Sequence, residues 1–194
     1  SNSLLSILDE TCTPMGKRLL FSWILNPLLD KKSIEERLDK VDKLFTDRNG
    51  LEQIREKLKE IGDVERIVGK IGLGRVNARD FNYLQISLKN FLDITDILKK
   101  NLNISFDIDK KLITGLIEKI EKTISDSPPL SILEGEILKT GFNKEVDEIR
   151  SLSGDSKTWL AEFEAKEKAS TGISSLKISF NKVFGYYIEV TNTH

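Results

Sequence analysis

Apolar residues recur at three- and four-residue spacing through the first 142 positions, the period of helices with one buried face. Leu4, Leu5, Ile7 and Leu8 make a short opening segment. Thr13-Pro14 starts a clearer helix, with a hydroxyl cap followed by proline at the first helical position. Its stripe is Met15, Leu19, Leu20, Trp23 and Ile24, and Pro27 ends it. Ser33 and Glu36 read as a capping box ahead of Ile34, Leu38, Val41 and Phe45. Asn49-Gly50 breaks that pattern, and Leu51, Ile54, Leu58 and Ile61 resume it. Gly62 stops this segment, and Asp63 caps the next, with Val64, Ile67, Val68 and Ile71 inward. Asn77 with Asp80 caps a long helix whose seam is Phe81, Leu84, Leu88, Phe91 and Leu98. After a connector at 101–107, Asp109 caps a helix with Leu112, Leu116, Ile120 and Ile124 on one face. Ser127-Pro128-Pro129 is a boundary, and a brief extended segment is expected around Gly135 and Gly141.

The pattern then changes twice. From Asn143 to about Ala169 apolar positions thin out to Val146, Ile149, Leu152, Trp159, Leu160 and Phe163. Between them lie opposite charges four apart: Lys144 with Glu148, Glu162 with Lys166, and Glu164 with Lys168. A helix this polar is thinly packed, an arm rather than a core element, with a break or bend expected at Gly154. From Leu176 the period drops to two. Leu176, Ile178 and Phe180 alternate with Lys177, Ser179 and Asn181, and Tyr186, Ile188 and Val190 alternate with Tyr187, Glu189 and Thr191. Residues 182–185 form the turn, with Gly185 suited to positive φ. A hairpin of two strands is marginal by itself, so this one calls for further strands.

Composition narrows the chemistry. The 194 residues hold 30 basic and 31 acidic side chains, so nucleic-acid contact through the whole surface is disfavoured and any such contact is local. A single cysteine, Cys12, excludes an internal disulfide and a cysteine-rich zinc site. The single histidine, His194, ends the chain, which removes histidine catalysis and most transition-metal binding. With no apolar run long enough for a membrane span and no signal-peptide pattern, a cytoplasmic setting is expected and no membrane partner. Gly69, Gly72 and Gly74 lack the spacing and the lysine of a phosphate loop and suit helix termination. Acidic pairs such as Glu35-Glu36 and Asp147-Glu148 fit solvated helix faces. No catalytic, cofactor-binding or metal-binding set is expected in these residues. What remains is the polar face of the hairpin. Lys177, Ser179, Asn181, Lys182 and Tyr187 carry donors suited to phosphate oxygens, and the same face equally suits an ordinary solvated hairpin.

Five blocks carry a family resemblance. Ser3-Leu4-Leu5-Ser6-Ile7-Leu8-Asp9, then Thr13-Pro14-Met15-Gly16-Lys17-Arg18-Leu19-Leu20, resemble the MutS DNA mismatch repair proteins. So do Gly62-Asp63-Val64-Glu65-Arg66-Ile67 and Gly141-Phe142-Asn143-Lys144-Glu145-Val146-Asp147-Glu148. The fifth, and the most specific, is Phe180-Asn181-Lys182-Val183-Phe184-Gly185-Tyr186-Tyr187-Ile188, although Ser179 and Phe180 stand where the family often has glycine and tyrosine.

The resemblance implies a mainly α fold: a multi-helix bundle core at 1–142, a long protruding lever helix at 143–173, and at 174–194 the first hairpin of an incomplete clamp domain. It implies a non-catalytic piece of a mismatch repair protein that holds duplex DNA without sequence preference and couples it to a distant ATPase. ATP and Mg belong to the full-length parent, and no cofactor is implied for this piece. Implied partners are the duplex DNA backbone, the remaining domains of the parent chain and a repair partner protein, the parent being a homodimer. Lys177, Asn181 and Lys182 become the candidate DNA backbone contacts. Composition alone suits a different class, a helical protein-interaction or scaffold module without DNA binding.

Overall fold

The computed structural model describes residues 3–181, 183 and 185–191, apart from the side chains of 152–157 and 159. Within them the chain is mainly helical and ends in a two-stranded antiparallel hairpin. It divides into two compact units, Ser1–Lys139 and Thr140–His194.

The first unit holds seven α-helices among its described residues: α1 Leu4–Leu8, α2 Pro14–Leu25, α3 Lys31–Thr46, α4 Arg48–Lys59, α5 Val64–Gly72, α6 Ala78–Leu102 and α7 Lys110–Thr123. Most begin where a short polar side chain can accept from an amide in the first turn, as helix ends require. Thr13 accepts from Gly16 N–H, Asp63 from Arg66 N–H and Asp109 from Leu112 N–H. Asn77 and Asp80 complete a reciprocal box. The cap of α3 differs from expectation. Asp30, not Ser33, opens it, and Asp30 Oδ2 accepts from both the amide (2.8 Å) and the hydroxyl (2.7 Å) of Ser33. A carboxylate three residues earlier outcompetes the hydroxyl. The break between α3 and α4 likewise falls at Asp47, which ends one helix and caps the next, and Asn49-Gly50 lies inside α4. Gly50 is needed there, because a Cβ would sit 2.1 Å from the capping Asp47 Oδ2.

α6 is the axis of this unit and packs against α4, α5 and α7. Toward its end it meets one apolar cluster, Ile54, Ile61 and Ile94, flanked by Phe91, Leu98 and Met15. Toward its start it meets another, Ile67, Leu84 and Ile120, flanked by Phe81, Leu88 and Ile124. The seam read along α6 therefore faces the core. Several other stripes do not. Ile34, Leu38, Val41 and Phe45 on α3 are all exposed, as are Val68 and Ile71 on α5. On α7 the buried residues are Ile117 and Ile120, while Leu112 and Leu116 face solvent. α2 buries none of its residues, and Leu19 and Trp23 stay exposed with Arg37 stacked 3.5 Å over the Trp23 ring. Periodicity marks an apolar face and does not say what covers it.

Polar clasps join the helices. Arg18 on α2 bonds both oxygens of Asp63 (2.8 and 2.7 Å) and reaches Glu65 at 2.6 Å. This holds the Asp63 carboxyl down at about 2. A carboxyl lowered on folding stabilises the native state above its unfolded pKa, near 4, and loses that contribution as pH falls toward the folded value. Arg18→Ala is thus expected to be less stable than the parent sequence at pH 6, with the gap closing between about pH 4 and 2. Paired urea melts across that range check it. A gap that widens on acidification would refute the assignment. Because half of the Arg18 side chain is solvated, the gap at neutral pH should be small.

The segment after α7 is short and mixed, as expected. A 3-10 turn spans Ile132–Glu134, Gly135 and Gly141 take positive φ, and Leu138 bridges to Ile124. The second unit contains α8, Lys144–Thr171, followed by β1, Lys177–Asn181, and β2, Gly185–Glu189. Asn143 caps α8 by accepting from Val146 N–H, and Gly141 N–H donates to Asp147 Oδ2 at 2.7 Å, so this motif is a lock on the helix start. α8 runs unbroken through Gly154, contrary to the expected bend, so the glycine penalty of about 1 kcal/mol is tolerated within 28 residues. Lys144–Glu148 and Glu164–Lys168 form the i, i+4 ion pairs read from the sequence.

Candidate nucleic-acid interface

The hairpin follows from its alternation and its turn. Pairing runs from Lys177 opposite Glu189 to Asn181 opposite Gly185, and Gly185 takes the expected positive φ of 75°. Ile178 opposes Ile188, and Phe180 opposes Tyr186 with ring centroids 5.0 Å apart. These residues share one face, as the period of two requires. That face is not buried as a half-buried strand would be: Phe180, Tyr186 and Ile188 are each more than half exposed. Leu176, just before β1, is the buried anchor at 5% exposure.

The opposite face holds the candidate contacts. Lys177 is exposed, but the register places Glu189 directly across from it. An opposite charge there weakens the field that Lys177 presents to a phosphate. Asn181 is half-buried, and its Oδ1 accepts from Val183 N–H at 2.6 Å, which ties it into the turn. Lys182 lies outside the described residues. The structure therefore puts Lys177 and Asn181 on one strand face with Ser179 and Tyr187.

Sequence reasoning missed Glu164. It was legible as the partner of Lys168, and its Oε1 does accept from the Lys168 ammonium at 2.6 Å. Its other oxygen, Oε2, accepts from the backbone N–H of Ile178 on β1 at 2.9 Å. The Ile178 amide and then the Lys168 ammonium hold the Glu164 carboxyl below the usual carboxylate range. A backbone amide 14 residues away carries no sequence signal. The only hint available was that Glu164 sits within two turns of the helix end that precedes the hairpin.

An open groove of about 380 Å³ lies between α6 and the 126–128 loop. Its Arg79 Nε donates to Pro128 O, and its Asn82 amide donates to Ser125 O. Among the described residues no group of His, Cys, Asp and Glu could hold a metal ion, and no helix is long and apolar enough to cross a membrane.

Together these features define a helical domain followed by a long charged helix that bears a β-hairpin at its C-terminal end. Residues 1–185 match the family model for MutS domain III. The DNA mismatch repair protein MutS of Geobacillus sp. (strain WCH70) is 45% identical over 192 residues, which cover 97% of this chain and 22% of that protein. The MutS proteins of Bacillus cytotoxicus and Halothermothrix orenii are 43% and 44% identical over 100% and 99% of the chain, again 22% of each relative. The chain belongs to the MutS family and corresponds to its domain III. It spans about a fifth of the length of these relatives.

Proposed function

We propose that this chain is the part of a mismatch repair protein that carries its DNA clamp, with residues 143–173 as a lever and 174–194 as the first strands of the clamp on a helical core at 1–142. The observation that supports this reading best is the continuous 28-residue helix with the hairpin fastened to its last turns by Glu164. A continuous helix transmits a displacement along its axis, whereas a hinge at Gly154 would absorb it. The hairpin then holds the duplex through its phosphates, without sequence readout. Lys177 and Lys182 are the phosphate contacts in this reading, with Asn181 a lesser one. The Lys177–Glu189 opposition weakens the field that Lys177 presents to a phosphate.

The full-length protein would add the ATPase, with ATP and Mg, that the lever serves, the second subunit of a homodimer and a surface for a repair partner. The exposed α3 stripe fits contact with the remaining domains of the parent chain. The test uses the full-length protein. Charge removal at both Lys177 and Lys182 is expected to reduce the steepness of the log Kd–log salt plot by about 1 to 2, at about 0.9 per phosphate contact. Titration of a mismatched duplex at several salt concentrations measures this, and an unchanged slope rejects the phosphate assignment.

A further inference from the structure

We infer that Glu164 is a positioning residue that sets the attitude of the hairpin on the helix that carries it. β1 and β2 form a sheet of two strands, so each has an outer edge whose amides find no partner in the other strand. In an antiparallel pair, opposed residues alternate between exchanging backbone bonds and leaving their amides to face outward. Ile178, opposite Ile188, gives its N–H to Glu164, so it occupies an outward-facing position. The helix thus takes the place of a third strand at one rung. Among the described residues the connection between them also ties β1 to α8. The chain leaves the helix through Gly172, with φ +70 and its N–H on Lys168 O, and Leu176 is then buried. A hydrogen bond from the strand's own backbone to the helix adds a point of attachment beyond the turn and the buried Leu176. Glu164 accepts it. Lys168 holds the carboxylate in place from one turn further along the same helix.

This inference rests on the clamp reading above for its functional consequence. If the hairpin grips DNA, pre-setting its orientation spares an ordering cost on binding and leaves the contacts in the complex the same. Loss of the tie should therefore weaken binding without changing the number of phosphates neutralised.

Hydrogen–deuterium exchange on the full-length protein, with Glu164→Ala, Glu164→Gln and Lys168→Ala variants, tests the geometry. Glu164→Ala is expected to speed exchange severalfold in peptides covering 177–181 and to leave those covering 144–151 at the parent rate. Glu164→Gln keeps a carbonyl oxygen for the Ile178 amide and should recover most of the protection. Lys168→Ala should fall between the parent and Glu164→Ala. Titration of a mismatched duplex then tests the consequence. Glu164→Ala should raise Kd roughly 3- to 10-fold with an unchanged salt slope, and Glu164→Gln should restore it. Unchanged exchange in Glu164→Ala, or Glu164→Gln behaving like Glu164→Ala, overturns the tie. Faster exchange with unchanged Kd overturns the positioning role. The clamp reading is decided separately, by the salt slope of the Lys177 and Lys182 variant.

Discussion

Leu84→Ala is expected to destabilise the first unit by about 2–5 kcal/mol, the largest effect of any single substitution considered. Leu84 is 5% exposed at the centre of the cluster it forms with Ile67 and Ile120. Truncation removes the transfer free energy of three carbons and leaves a cavity that three different helices line. α6 is the element shared by both apolar clusters, so its backbone cannot close the gap on one side without opening the other. For a unit of this size the midpoint of thermal unfolding should fall by roughly 10 °C. Differential scanning calorimetry measures it, with Leu116→Ala as the control. Leu116 lies on the exposed side of α7 and should cost under about 0.5 kcal/mol. Equal losses at the two leucines would mean that the buried face of the helix pair is misassigned.

Ser87→Ala is expected to cost about 1–3 kcal/mol, a large effect for the loss of one oxygen. Ser87 is the most enclosed side chain described, at 1% exposure. Its hydroxyl donates to Tyr83 O within α6 (2.7 Å) and accepts from Gly62 N–H (3.0 Å) in the link between α4 and α5. Removal of the hydroxyl leaves the Gly62 amide without that acceptor. Ser87→Thr keeps the hydroxyl but adds a methyl at a side chain only 1% exposed, so it should rescue only in part. Amide exchange at Gly62, followed alongside urea unfolding, separates the two contributions. If Ser87→Ala left both the midpoint and the Gly62 amide unchanged, the bridge would carry no weight.

Local chemistry was the legible part of this chain. Thr13, Asp63, Asn77 with Asp80 and Asp109 were all readable as caps, because donor and acceptor lie within three residues. The cap at Asp30 escaped because Ser33, itself a good cap, lay beside it. The hairpin's alternation was readable too, but its register was not: 182–185 reads as the turn, whereas Gly185 already pairs with Asn181 in β2, and that register sets Glu189 opposite Lys177. Burial was the illegible part. The α3 stripe and the α6 seam have the same period, yet one is exposed and the other is core. Which of two equal stripes finds a partner depends on tertiary pairing, which periodicity does not encode. Arg18 and the Asp63–Glu65 pair stood out as separate blocks, and their joining across 45 and 47 residues needed the structure. Glu164 was hidden for another reason: its partner is a main-chain amide, which every residue but proline has.

The unbroken course of α8 has a geometric consequence. At 1.5 Å per residue its 28 residues extend about 42 Å. A tilt of about 10° about one end moves the other end by about 7 Å. A rod of that length converts a side-chain-sized adjustment at one end into a displacement several times larger at the other, and it does so with no joint along its length.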